Sequence, residues 1–303
     1  MDYKEFIKYM ETNVAKEMRL RGLMTELSSI RKSGDRLRDC LLISRNDDEP
    51  SPAIYLDDFY GFYENGEDPD TLVEEIIRTY DENCIMMTMD LDVLNDWSRS
   101  RENITCRVMN EAVNRKYLED TIYIKYLDLA IVIYHTFITE SGRIYSCKVT
   151  DSLMESWGTD RDTLYRLALE NTRRLFGINL QEMKDAVKDI LGKMSSYSNE
   201  LDETLDDPER MPMYILTNNI SCQGAVNIFM DDVLKALAEN LGSDLYIIPS
   251  SIHEVMIIPV NDRITESEIN KMINEINLSL LDPQDILSNH LYYYSKKLDR
   301  IIK

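Results

Sequence analysis

Ser250, Ser251, His253 and Glu254 stand almost side by side, and they are the one polar group in this chain that reads as placed rather than scattered. A hydroxyl, an imidazole and a carboxylate are the parts of a nucleophilic site: the imidazole takes the serine proton and the carboxylate orients the ring. The local backbone argues against that assembly. Neighbours on an extended run point to opposite faces, so Glu254 is badly placed to orient His253. The competing reading, and the stronger one, is a polar turn whose hydroxyls bond nearby backbone amides.

Two further groups have residue types suited to binding. Arg31, Lys32, Arg36 and Arg38, preceded by Arg19 and Arg21, form a basic concentration near the start of the sequence. They are candidates for phosphate contact, although the acidic remainder of the same chain is the favoured partner. The second is an internal echo. Ile54 and Tyr55 are followed by GEDPDTL at 66–72, and Ile144 and Tyr145 by GTDRDTL at 158–164. A pair of metal-binding loops is one reading, but neither has the D-x-D-x-D-G-x5-E run of a calcium hand. Helix capping by Asp68 and Asp160 is the expectation, with an acid at the second helical position where the dipole favours it.

Glycine-rich phosphate loops, a G-x-S-x-G elbow and H-E-x-x-H do not occur. The three histidines (135, 253 and 290) fall on separate elements. His135, among apolar neighbours, reads as a satisfied core residue. No cofactor and no metal site are implied.

The serines and His253 need a scaffold, and 213–260 supplies it. A short strand or hairpin over 213–225 is followed by an amphipathic helix over 227–241. Its stripe is Val226, Phe229, Val233, Leu237 and Leu241, its cap Asn227 and its stop Gly242. The runs 245–249 and 255–259 are apolar on both alternating faces, which predicts strands covered on two sides. The few residues between them force antiparallel pairing, and Pro249 and Pro259 mark strand ends. This hairpin is expected to be interior.

Around that unit, Tyr3, Phe6, Ile7, Met10, Val14 and Met18 predict an N-terminal helix. Strands follow over 23–30, 36–43 and 53–56, then an aromatic segment at 59–63 and a helix beginning near Asp68. Further strands are predicted over 104–109, 122–126, 129–138 and 143–149, with helices over 160–176 and 180–194. Thr265 and Glu268 have the spacing of a capping box opening a helix to about 280. The tail at 290–302 is expected to close a sheet edge as a hairpin. The fold class is therefore α+β: an N-terminal α-β-β-β-α unit, then a larger mixed antiparallel sheet region with packed helices. The expected division is 1–90 and 91–303, with an acidic loop or linker at about 195–212.

The net charge is −21 over 303 residues. Residues 1–45 hold ten Lys and Arg against seven Asp and Glu, a net of +3, so the remainder has −24. Such a field opposes direct binding to nucleic acid and to anionic membrane. No apolar run is long enough to span a bilayer, and the first residues do not read as a signal peptide. Five cysteines, odd in number and without C-x-x-C, fit buried reduced thiols in a cytoplasm.

The runs PAIYLDD at 52–58, YLDLA at 126–130 and LKALAENLGSDLYIIPSSIHE at 234–254, with the helix near 71–80, resemble an uncharacterised bacterial domain-of-unknown-function family found mostly in clostridial gut bacteria. The resemblance covers nearly the whole chain. It implies a bacterial cytoplasmic protein and brings no activity, cofactor or catalytic residue. The favoured functional reading is a non-catalytic intracellular protein that binds protein partners. The alternatives are an acidic decoy occupying a basic, nucleic-acid-binding partner, and a hydrolase using Ser251 and His253.

Overall fold

The computed structural model describes residues 1–45, 53–83, 91–139, 142–192, 211–249 and 251–303. Ser250, Cys84 and most of the acidic stretch expected at 195–212 lie outside the described residues. The chain is α+β and divides into two compact units, Met1–Asp92 and Val93–Lys303.

The first unit runs α1 (Tyr3–Leu20), β1 (Met24–Arg31), β2 (Leu37–Ser44), β3 (Ala53–Tyr55), α2 (Leu56–Glu64) and α3 (Pro69–Asn83). Helix α1 opens on a reciprocal cap between Asp2 and Glu5 and buries Phe6, Met10, Val14 and Met18 of the predicted stripe, with Tyr3 and Ile7 half-buried. The three strands pair antiparallel in the order β1-β2-β3. The β1–β2 turn places Gly34 and Asp35 in the left-handed region, as a tight reversal requires. One expectation fails in detail: the aromatic segment is itself helical. In α2, Phe59 reaches the core and the rings of Tyr60 and Tyr63 pack against Phe6, which an extended segment would not allow. Helix α3 is capped by Asp68, whose Oδ2 accepts the amides of Asp70 and Thr71.

The described residues of the second unit hold two sheets. In the first, β6 (Leu129–Ile138) is the spine. β4 (Ile104–Asn110) pairs along one edge of it; β5 (Tyr123–Tyr126) and β7 (Ile144–Lys148) share the other. α4 (Trp97–Ser100), α5 (Asp151–Ser156) and α6 (Arg161–Phe176) accompany this sheet, with α6 capped by Asp160 through the Thr163 amide.

The second sheet contains β8 (Asn179–Glu182), β9 (Tyr214–Thr217), β10 (Leu245–Ile248), β11 (Val255–Pro259), β12 (Tyr292–Ser295) and β13 (Arg300–Ile302). Their order is β13-β12-β10-β11-β9-β8, all antiparallel. Among the described residues three helices belong to it: α7 (Met183–Gly192), α8 (Asp231–Leu241) and α9 (Glu266–Leu280), the last with the predicted Thr265–Glu268 capping box. The tail hairpin β12–β13 extends the sheet edge as expected.

The β10–β11 hairpin is interior. Leu245, Ile247, Val255 and Ile257 enter the main core of the unit, while Tyr246, Ile248 and Ile258 pack with Ile269 and Ile273 of α9 on the other face. Each such aliphatic side chain contributes about 1.5–3 kcal/mol by burial.

Two helix starts differ from the sequence expectation. Residues 179–182 are not helical because they pair with β9 as an edge strand. Asn227 is not a cap. It lies in a short 3-10 turn, Gly224–Phe229, fully buried, with its side-chain amide donating to the Thr217 carbonyl at 2.7 Å. Helix α8 starts four residues later, with Met230 at its uncapped end. No helix among the described residues is long and apolar enough to cross a membrane.

Candidate functional site

The mouth of the β10–β11 hairpin is held by backbone bonds from three directions. The His253 carbonyl accepts the Gly224 amide at 2.9 Å and the Thr217 hydroxyl at 2.8 Å, and the Ile252 carbonyl accepts the Ala225 amide at 3.2 Å. On the other side the Ile252 amide donates to the Asp285 carbonyl, and the Ser288 amide to the Pro249 carbonyl, both at 2.9 Å. Gly224 is required by space. A Cβ there would lie 2.4 Å from Thr217 Oγ1, 2.6 Å from Asn218 N and 2.8 Å from His253 O.

Within this clamp the predicted residues do not assemble as a nucleophilic site. Ser251 is buried, and its Oγ accepts the amide of His253 at 3.0 Å rather than meeting the imidazole. His253 is half-buried. Its Nδ1 accepts the Gln223 amide at 3.3 Å, which leaves the proton on Nε2, and Nε2 lies 3.5 Å from Asp285 Oδ1. The carboxylate facing the ring is thus Asp285, while Glu254 is exposed and makes no hydrogen bond among the described residues. Ser250 lies outside the described residues.

A second constellation adjoins the first along the 285–292 segment. The Tyr292 hydroxyl donates to Asp128 Oδ1 at 2.7 Å, and Ser288 Oγ lies 3.0 Å from His290 Nδ1 and 3.4 Å from Asp128 Oδ2. His290 Nε2 is 3.4 Å from Asp128 Oδ1 but out of line, and it has no hydrogen-bond partner among the described residues. Burial lowers the His290 pKa, partly offset by the Asp128 charge. A serine, a histidine and an aspartate are together here, yet Ser288 is only 1% exposed, so its hydroxyl is shielded from solvent. Sequence reading missed this group because Asp128, in the β5–β6 turn, is 160 residues from Ser288. The available signal was local: Ser288, His290 and Tyr292 recur at every second position just before and into β12.

The remaining candidates are engaged elsewhere. Arg38 forms a two-pronged pair with Asp57, Nη2 to Oδ1 at 2.6 Å and Nε to Oδ2 at 2.8 Å, reaches Asp58 at 2.5 Å, and lies over the Tyr55 ring. Burial would raise the Asp57 carboxyl, but the Arg38 guanidinium overrides it and holds it below the usual carboxylate range. Arg36 also reaches Asp57, Arg31 donates to the Asp35 carbonyl, and Lys32 lies over the Tyr55 ring.

His135 is buried as expected but not satisfied, since neither ring nitrogen has a hydrogen-bond partner among the described residues. Its place on β6, between Ile104 and Cys147 on the flanking strands, surrounds the ring with backbone already paired in the ladder. Cys40 and Cys106 are buried, but Cys222 is exposed, on the turns that follow β9. Among the described residues no three His, Cys, Asp or Glu side chains gather to hold a metal ion.

Neither a curated protein nor a solved structure matches this chain. A family model matches residues 3–296, and the chain therefore belongs to that family, DUF5688, a family of unknown function.

Proposed function

We propose that this chain is a non-catalytic binding or interaction protein, acting on protein partners in a bacterial cytoplasm. The observation that favours this reading is at the hairpin mouth: Ser251 Oγ accepts the His253 backbone amide and makes no hydrogen bond with the His253 ring among the described residues. A serine nucleophile needs its base within hydrogen-bond reach of the hydroxyl. The ring is instead held between the Gln223 amide and Asp285, a positioning suited to fixing the loop. The net charge of −21 adds a solvated acidic exterior that repels nucleic acid.

The test pairs two measurements. Purified wild type and His253→Ala are run against an esterase, phosphatase and nuclease panel, and both are used as bait in native cytosol at low and high salt. The expectation is no turnover dependent on His253, and a protein partner retained at both salt concentrations. Turnover abolished by His253→Ala would make the chain a hydrolase. Capture that collapses with salt and is displaced by nucleic acid would make it a decoy, since charge-driven contacts are screened.

A further inference from the structure

A cavity of about 410 Å³ in the second unit lies apart from both histidine constellations. That volume falls in the range of small-molecule sites, which are lined mainly by apolar and aromatic groups with a few placed polar ones. Its aromatic walls are Tyr126 on β5, Tyr165 on α6, Phe229 just before α8, and Tyr294 on β12. Tyr126 and Phe229 meet edge to face at 5.2 Å between ring centres. Its exposed rim has charges of both signs, Asp231 at the start of α8 and Arg300 on β13.

Accounting for the polar groups separates those the fold uses from those it leaves open. The Tyr126 hydroxyl donates to the Ile301 carbonyl at 2.8 Å. The Tyr294 hydroxyl donates to Asp299 at 2.5 Å, and Lys235 neutralises that carboxylate at 2.8 Å. The Tyr165 hydroxyl, the Asp231 carboxylate and the Arg300 guanidinium have no hydrogen-bond or ion-pair partner among the described residues. Burial pushes the Tyr165 hydroxyl up to about 12, with the Cys106, Asp231 and Tyr126 groups adding to it, so it remains a donor at neutral pH.

We propose that this cavity binds an α-amino acid with an apolar or aromatic side chain, taking its ammonium at Asp231, its carboxylate at Arg300 and Tyr165, and its side chain against the Tyr126, Phe229 and Tyr294 rings. A ligand of one charge sign fits less well. A simple cation meets Arg300 as a like charge, and a simple anion meets Asp231. A zwitterion satisfies both, and charge-assisted hydrogen bonds are the strong ones. The apolar body replaces water over aromatic surface, where edge and face contacts add to burial.

The proposal goes beyond the protein-partner reading and stands or falls separately from it, because it needs only the purified full chain. Titration calorimetry with L-phenylalanine, L-tyrosine and L-leucine is compared with 3-phenylpropionate, which lacks the ammonium, and phenethylamine, which lacks the carboxylate. At least one amino acid is expected to bind saturably, with both single-charge analogues about tenfold weaker or worse. Arg300→Gln and Asp231→Asn, both at exposed rim positions, are each expected to weaken the amino acid about tenfold with thermal unfolding unchanged. Tyr165→Phe, which preserves the ring, weakens it less. The absence of saturable binding by all three amino acids overturns the proposal. So does an analogue that binds as tightly as its parent, or binding indifferent to Arg300→Gln and Asp231→Asn.

Discussion

A titratable ring shut away from water gives His135 a pH dependence of definite sign. Burial lowers its pKa from 6.5 to about 4, and no donor or acceptor compensates at either nitrogen. The unfolded chain then takes up a proton that the folded chain refuses. The stability linked to this ring is fully present above pH 6.5 and is lost as pH falls towards 4. The gap corresponds to about 3 kcal/mol at the acid end. His135→Leu keeps the strand apolar and removes both nitrogens. Denaturant unfolding should show wild type losing about 3 kcal/mol more than the variant on acidification through that window. Equal losses would contradict it. His290 is tuned differently, because burial lowers its pKa while the Asp128 charge holds it up. Asp128→Asn should therefore drive the His290 titration to lower pH, read from its ring proton shift by NMR. An unchanged or higher value would mean that Asp128 does not act on the ring.

The elements that hold the candidate site meet at Gly224, where the turn after β9 passes under the hairpin mouth. Its backbone comes so close to Thr217, Asn218 and His253 that a methyl group cannot enter without moving backbone. Gly224→Ala should cost about 1–3 kcal/mol by overpacking, measured as a lower urea midpoint at unchanged slope. A neutral substitution would mean that the turn relaxes freely. Elements governed by near neighbours were legible in the sequence: the Phe6–Met18 stripe of α1, the Thr265–Glu268 box of α9, and the β10–β11 hairpin with its prolines at the strand ends. What escaped depends on distant partners. Residues 179–182 carry a helical pattern but pair with β9, and Asn227 has the chemistry of a cap but is taken by the Thr217 carbonyl. Likewise Glu254 is adjacent to His253 in sequence, but the carboxylate at the ring is Asp285, contributed by the segment after α9. Side-chain type was readable at each of these positions. The partner was not, because a partner is supplied by tertiary packing.

At the scale of the whole molecule, the described residues of each unit form a hydrophobic core of their own. In Met1–Asp92 the core runs from Phe6 to Tyr80, and in Val93–Lys303 the main core runs from Ile104 to Ile301. A core that closes within one stretch of chain is the physical condition for unfolding as one unit. The second unit has the additional feature that its last strands are central to its packing. Tyr292, Tyr294 and Ile301 belong to the main core, and β12 pairs directly with β10. Ending the chain at Asn289 therefore strips β10 of a neighbour and opens the main core, while no residue of the first core is removed. Hydrogen exchange read by mass spectrometry should find peptides from α1 and α3 as protected in the shortened chain as in the full one. Peptides covering β6 and the β10–β11 hairpin should lose protection. Loss of protection in α1 and α3 as well would show that the first unit depends on the second, and that the closed core of Met1–Asp92 is not sufficient to keep it folded.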